Sequence, residues 1–253
     1  MYKGVIRLGQ VLTVVSGKGG TGKTSICAAV AVSLACMGQR VLCVDADIGL
    51  RNLDLALGMA ELPILPFTDL LSKQYGLEDA ARHPSVTGLF LLTAPIRQKA
   101  EEISLDAFGE LIEQARQQFD WIFIDAGAGV GAGFTLATAF ADRILVVANA
   151  DPASLRDAAF CTDLLYGRFD GRMHLIVNRV RPKLLKKLSL TIDDVMDGVG
   201  LPLLGVVPED ANVVLATASG KALTLQSPKG ASIACANIAR RLCGQRVRLM
   251  QQP

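Results

Sequence analysis

The sequence has no Cys-x-x-Cys pair among its six cysteines, most of which lie in apolar runs. Zinc and iron–sulfur sites usually use closely paired cysteines, so the sequence favours buried, reduced thiols in a cytoplasmic protein. A metal or iron–sulfur site is the alternative that the six cysteines leave open.

Secretory and membrane-spanning segments are also lacking. Met1 to Gln10 contains no apolar run of signal-peptide length, and the longest apolar stretch, Ile26 to Met37, is too short to cross a bilayer. We therefore expect a cytoplasmic protein.

Neither positive nor negative residues are in large excess. The chain has 26 Lys and Arg residues against 24 Asp and Glu residues, a net charge of +2. This balance gives no strong overall field, so a nucleic-acid partner is not expected. Acidic residues are absent after Asp210, however, and 244–253 is predicted to be a short basic tail.

No repeat or low-complexity linker divides the 253 residues, and 51% of them are hydrophobic. Continuous apolar runs alternate with helical patterns, as in a parallel sheet that is covered on both faces. We expect a single doubly wound α/β domain over 1–253, with a mostly parallel sheet. The predicted strands are 40–44, 89–92, 121–124, 144–147, 175–177 and 203–207, and the predicted helices are 26–34, 104–118, 152–166 and one opening at Thr191.

A glycine-rich turn stands between the apolar run 11–15 and the predicted helix 26–34. From Gly17 it reads G-x-x-x-x-G-K-T, the P-loop pattern. Glycines let successive backbone N–H groups face an anion, and the following helix adds the positive end of its dipole. The residues expected to bind the nucleotide are Gly17, Lys18, Gly19, Gly20, Thr21, Gly22, Lys23, Thr24 and Ser25.

The same turn also fits G-x-G-x-x-G through Gly17, Gly19 and Gly22, and Asp45 stands where a dinucleotide fold has its ribose-binding acid. Lys23 and Thr24 favour a triphosphate instead. The lysine would place a charge at the β- and γ-phosphates, and the hydroxyl would hold Mg²⁺. ATP and Mg²⁺ are therefore the expected cofactors.

Polar residues follow the predicted strands at the edge that carries the P-loop. Asp45 and Asp47 follow one strand, Asp125 follows another, and Asn178 follows a third. Asp125 has the Walker B position and would hold Mg²⁺ through water, together with Thr24; Asp47 is a further candidate for the metal site. The glycine-rich segment 126–131 could move when the phosphate leaves.

Lys18 makes the P-loop read K-G-G-T-G-K-T, which resembles the deviant Walker A loop of the MinD/ParA family. The segment 45–58, DADIGLRNLDLALG, resembles the MinD branch of that family nearly residue for residue. The resemblance implies a homodimer that forms with ATP, in which Lys18 reaches the partner's nucleotide. It also implies that Asp47 orients the attacking water and that Asn52 helps to place it, so the catalytic candidates are Lys18, Asp47 and Asn52.

The resemblance continues toward the C-terminus. Asn178 and Arg179 are similar to the family's adenine-contacting pair, and 205–210, with Pro208, Glu209 and Asp210, resembles its second adenine loop. The segment 154–157 is similar to a stretch near the family's partner-binding face.

Two features depart from the family pattern. Members usually have Asp-Ser-Pro after the Walker B strand, whereas this chain has Asp125-Ala126-Gly127. MinD relatives also end in a lysine-rich amphipathic helix, and here the basic tail holds only Val247, Leu249 and Met250 as apolar residues. A peripheral contact with the cell membrane is therefore one expectation, and a solvated tail is the alternative.

The resemblance implies a slow, partner-stimulated ATPase switch that places the division septum through a regulatory or effector protein of the division machinery. A ParA-type partition or positioning ATPase, acting through DNA or a protein partner, is the main alternative. A metal-cluster carrier and a nucleotide-binding scaffold without hydrolysis are two others.

Overall fold

The computed structural model describes residues 8–249. Expectations for Met1–Arg7 and for 250–253, including Met250 of the tail, lie outside the described residues. An eight-stranded sheet has the order β3-β4-β2-β5-β1-β6-β7-β8, and only the β3–β4 pair is antiparallel. The strands are β1 Gln10–Val15, β2 Val41–Ala46, β3 Ala81–Arg82, β4 Leu89–Leu92, β5 Trp121–Ala126, β6 Arg143–Asn149, β7 Met173–Val180 and β8 Leu203–Pro208.

Helices connect these strands on both sides of the sheet. They are α1 Lys23–Cys36, α2 Leu53–Leu57, α3 Phe67–Leu71, α4 Leu105–Gln118, α5 Ala132–Thr138, α6 Pro152–Leu165, α7 Pro182–Lys187, α8 Ile192–Val199, α9 Asn212–Ala218, α10 Leu223–Gln226 and α11 Ala231–Leu242. Short 3₁₀ turns occur at Leu77–Asp79 and Ala100–Glu102.

The core lies on both faces of the sheet because successive strand side chains point to opposite sides. Val11 and Val15 of β1 pack with α4, α5, α6 and α8, whereas Leu12 and Val14 pack with α1, α2 and α11. The doubly wound α/β class predicted from the continuous apolar runs is therefore confirmed.

Three strands extend further along the chain than their apolar runs predict. Asp45 lies within β2 and Asp125 within β5, and Asn178 and Arg179 lie within β7. Each strand continues for one or more residues beyond its apolar run, because backbone pairing with neighbouring strands does not require an apolar side chain. Only Asp47 follows its strand.

The cysteine prediction is partly wrong. Cys27, Cys43, Cys161 and Cys235 are buried free thiols, but Cys36 and Cys243 are exposed at helix ends. Burial raises the pKa of Cys161 to about 11 and that of Cys235 to about 12, so these thiols stay protonated. Within residues 8–249 there is no cluster of metal-ligating side chains, and no helix there is long and apolar enough to cross a membrane.

Candidate functional site

The P-loop joins the carboxyl end of β1 to the start of α1. Gly20 and Gly22 adopt φ values of 81° and 88°, in the left-handed region that glycine occupies without steric cost. A Cβ at Gly22 would also clash with the side-chain amide of Asn178. The turn therefore needs glycine for its backbone curl and for the close approach of β7.

Lys23 and Asp125 form the charged centre of the site. The Lys23 Nζ lies 2.8 Å from Asp125 Oδ1, and both side chains are buried. Burial alone would lower the pKa of Lys23, but the neighbouring Asp125 and Asp47 carboxylates outweigh it, and the net pKa is raised. Lys23 is therefore held as a cation where the phosphates of a nucleotide would lie.

The oxygen atoms around this pair suit Mg²⁺. Asp125 Oδ2 is buried without a hydrogen-bond partner among the described residues, and Thr24 lies in the first turn of α1. A carboxylate oxygen and a hydroxyl are the protein ligands that Mg²⁺ takes at nucleotide sites. Thr24 and Asp125 thus fit the predicted metal role, and that role stays a prediction.

Asp45 fixes the backbone that follows β2. Its Oδ1 accepts from the N–H of Asp47 at 2.9 Å, and its Oδ2 accepts from the N–H groups of Asn52 at 3.1 Å and Leu53 at 3.0 Å. These bonds close the loop 47–52 and satisfy N–H groups at the start of α2. A ribose-binding role for Asp45 does not fit this position, because the side chain is fully buried and points to its own loop.

Asp47 stands at the rim of the charged centre and is half-buried. Burial raises its pKa, Lys23 acts to lower it and Asp125 to raise it, and the net pKa is raised. A Cβ at Gly127 would lie 3.1 Å from Asp47 Oδ1, so the glycine in place of the family's proline leaves this carboxylate room. Asn52 is exposed, and its backbone rather than its amide is held by Asp45.

Lys18 lies on the exposed side of the P-loop and is paired within its own chain. Its Nζ is 3.3 Å from Asp151 Oδ1, and both side chains are partly exposed. Asp151 also caps α6 by accepting from the N–H of Ser154 at 3.0 Å. The segment 154–157 therefore begins beside the P-loop, and Gly17 packs against the backbone of Asp157.

A cavity of about 340 Å³ lies beside the P-loop at the ends of β7 and β8. The Asn178 amide donates to the Thr21 carbonyl at 2.7 Å, which fastens β7 to the P-loop. Arg179 has a φ of 52°, at an irregular step in the β7–β8 pairing. The cavity is lined by Gly22, Ser25, Asn178, Arg179, Pro208, Glu209 and Asp210, so the predicted base-binding residues are brought together.

Asp210 does more than line this cavity. Its Oδ1 accepts from the backbone N–H of Asn212 at 2.9 Å, and its Oδ2 accepts from the N–H of Ala231 at 3.0 Å. Burial acts to raise the pKa of Asp210, but these hydrogen bonds outweigh it and the net pKa is lowered. Asp210 therefore joins the cavity wall to the start of α11, a role that no local sequence pattern indicates.

ATP turnover is expected to decline as the pH falls through about 6. Burial and then the neighbouring Asp125 raise the pKa of Asp45 to about 6, and that of Asp47 is also raised. Protonation of Asp45 weakens the three hydrogen bonds that hold the loop 47–52, so ATP turnover is lost on the acid side of the pH profile. A pH profile of turnover measures this. Asp45→Asn should be slower, and its decline at acid pH should be weaker, with only the part due to Asp47 remaining. A wild-type profile that is flat down to the ordinary carboxylate range would contradict the assignment.

Comparisons with known proteins show which proteins this chain is similar to. Residues 12–223 match the family model "CobQ/CobB/MinD/ParA nucleotide binding domain". The chain is 34% identical over 241 residues to the septum site-determining protein MinD of Synechocystis sp., covering 94% of this chain and 91% of that protein.

Solved structures are similar over nearly the whole chain. One is MinD in the MinC:MinD cell division protein complex of Aquifex aeolicus, with a TM-score of 0.88 and 32% identity, covering 96% of this chain and 98% of that one. Another is MinD of Pyrococcus horikoshii complexed with Mg-ADP. Its TM-score is 0.80 at 27% identity, and the match covers 93% of this chain and 96% of that one. The chain therefore belongs to the MinD/ParA family of nucleotide-binding proteins and is a MinD-like ATPase.

Proposed function

We propose that this chain is an ATP-dependent dimerising switch that helps to place the division septum. The observation that carries the proposal is the position of two lysines on one P-loop. Lys23 is buried against Asp125, whereas Lys18 lies on the exposed side of the loop beside Asp151. This separation supports a division of roles, in which Lys23 would act on the chain's own nucleotide and Lys18 on that of the partner.

The residues have separate tasks in this proposal. Mg²⁺, when bound, supplies positive charge at the β- and γ-phosphates. Thr24 and Asp125 would hold it, and Lys23 would turn from Asp125 toward the phosphates. Asp47, with its raised pKa, accepts a hydrogen bond from the attacking water and orients it. Asn52, exposed on the loop that Asp45 fixes, helps to place that water.

The output of the switch is a dimer population that depends on the γ-phosphate. Since the Aquifex aeolicus relative is solved as a MinC:MinD complex, we infer a division-machinery protein as the partner. We further infer a cytoplasmic protein with a peripheral membrane contact through the basic tail. Arg241 donates to the carbonyls of Val247 and Arg248, which holds the described part of the tail against α11 while the Arg246 and Arg248 side chains stay exposed.

Mixing two inactive variants tests the role of Lys18 across the dimer. Lys18→Ala and Asp47→Ala are each expected to lose ATP turnover by about 10²-fold or more, since the first removes positive charge at the reacting phosphate and the second removes the group that orients the attacking water. In a mixed dimer, the Lys18→Ala protomer keeps Asp47 and receives Lys18 from its partner. Random mixing gives half mixed dimers with one complete site each, so about a quarter of wild-type turnover should return.

The control for this experiment is a mixture that cannot form a complete site. Lys18→Ala mixed with the double variant Lys18→Ala/Asp47→Ala should show no recovery. Dimer formation is followed by light scattering with ATP, with ADP and without nucleotide. If the first mixture stays inactive although mixed dimers form, Lys18 does not act across the dimer.

A further inference from the structure

The short helix α7 presents an unusual combination of exposed side chains. Leu184 and Leu188 are 44% and 54% exposed, and three lysines lie among them. Only Leu185 and the following Leu190 pack against the core. We call the exposed set the α7 face, which consists of Lys183, Leu184, Lys186, Lys187 and Leu188.

Helical geometry explains how the α7 face is arranged. Residues advance by about 100° each, so Lys183 and Lys187 lie opposite Leu185, which is partly buried against the core. Leu184 and Leu188 are one turn apart and form an apolar strip beside the lysines. The turn is closed, because the Leu188 N–H donates to the Leu184 carbonyl at 3.0 Å and the Leu190 N–H donates to the Leu185 carbonyl at 3.1 Å. The leucines are therefore exposed on a formed helix.

The charge of the α7 face is not neutralised locally. Within residues 8–249, none of the three lysines forms a salt bridge. The nearest acid that follows on the chain, Asp193, is two residues beyond Thr191, and Asp194 turns back to accept from the Thr191 N–H at 2.7 Å. The three lysine side chains are therefore exposed to solvent without a described counter-charge.

The start of α7 is attached to the nucleotide site. Arg181, just before the helix, pairs with Glu209. Glu209 lines the cavity beside the P-loop, and so does Arg179 of β7. Two copies of the α7 face are present in a dimer, so a weak contact made by one copy is strengthened by the other.

We propose that the α7 face docks on the surface of an anionic lipid bilayer. The two leucines enter the acyl boundary, and the lysines reach the phosphates of the headgroups with their stems along the apolar surface. A nucleic-acid backbone would satisfy the lysines but would leave the leucine strip in water. The contact is separate from the basic tail, and it rests on the proposed function only for the pairing of two copies.

Vesicle binding tests this contact. The probe is co-sedimentation of the full chain, with ATP and Mg²⁺, on phosphatidylcholine vesicles with and without about 30 mol % phosphatidylglycerol. Wild type should bind the anionic vesicles and bind less at high salt. Leu184→Ser/Leu188→Ser should lower the partition about tenfold, and Lys183→Gln/Lys186→Gln/Lys187→Gln should act in the same direction.

The matched control is a second exposed apolar pair at the same spacing. Phe160 and Leu164 on α6 are 54% and 52% exposed, so Phe160→Ser/Leu164→Ser removes similar surface without neighbouring lysines. This control should keep wild-type partition. A tail variant, Arg246→Ser/Arg248→Ser, separates the tail's share of binding from that of α7.

ATP turnover and light scattering in the same samples report on the proposed switch independently of the vesicles. Normal turnover with a tenfold loss of partition in the α7 variant supports the contact. Unchanged partition in that variant, an equal loss in the α6 control, or no wild-type binding to anionic vesicles overturns it. Lysine-dependent binding to duplex DNA without vesicle binding also overturns it, and assigns the α7 face to nucleic acid.

Discussion

Lys23→Gln is expected to abolish ATP turnover and to destabilise the nucleotide-free protein at the same time. Removing the cation from the phosphate site should lower turnover by about 10²–10³-fold. It also leaves Asp125 buried without a counter-charge, since the 2.8 Å pair is lost and Oδ2 already lacks a partner. The free energy of unfolding should fall by about 3–5 kcal/mol.

A double-variant cycle separates the two consequences of this substitution. Asp125→Asn combined with Lys23→Gln replaces the ion pair by two neutral amides, so most of the lost stability should return. ATP turnover should stay lost, because neither the phosphate charge nor the metal ligand is restored. Urea unfolding and a turnover assay measure both. Equal stability of the single and double variants would show that the buried charge is not what destabilises the protein.

Gly22→Ala is expected to weaken nucleotide binding strongly for two independent reasons. Its φ of 88° is costly for any residue with a Cβ, by about 1–2 kcal/mol. The added Cβ would also strike the Asn178 amide, which ties β7 to the P-loop. A shift of the P-loop of about 1 Å should lower turnover by about 10²-fold. Nucleotide binding is measured by titration with a fluorescent ATP analogue.

Gly38→Ala is the control for backbone strain alone. Gly38 has a φ of 84°, and a Cβ there would meet no atom within 4 Å. Gly38→Ala should lower the free energy of unfolding only by the cost of the strained backbone, and it should keep the wild-type affinity for nucleotide. Adding Asn178→Ala to Gly22→Ala should recover part of the stability but not binding. If Gly22→Ala behaves like Gly38→Ala, the close approach of Asn178 does not constrain the P-loop.

The fold class and the P-loop could be predicted because both depend on local sequence. Continuous apolar runs indicate strands covered on two faces, and the spacing of Gly17, Gly22 and Lys23 is sufficient to place a nucleotide turn before α1. Short elements such as β3, α3 and α7 were missed. They contain too few residues for a periodic pattern, and α7 exposes apolar side chains that a periodicity argument expects to be buried.

The hydrogen-bond partners of Asp45 and Asp210, and the pairing of Asp45 with Asp125, could not be predicted for a different reason. Asp45 and Asp125 are register partners on β2 and β5, so their closeness follows from strand order rather than from spacing. Asp210 accepts from Ala231, a contact between residues 21 positions apart. Such bonds satisfy backbone N–H groups at helix starts, and only the folded chain shows which carboxylate reaches which helix.

In the proposed dimer, where Lys18 acts on the partner's nucleotide, the Lys18–Asp151 pair makes that contact an exchange of one anion for another. Each protomer must release one partly exposed ion pair, worth about 1 kcal/mol or less, before its lysine can engage another anion. The lysine then contributes the difference between two anions and not a full new contact. A triphosphate carries more negative charge than a diphosphate or a single carboxylate, so the proposed exchange is most favourable with ATP bound. Asp151 would then act as the resting partner of Lys18 when the γ-phosphate is absent.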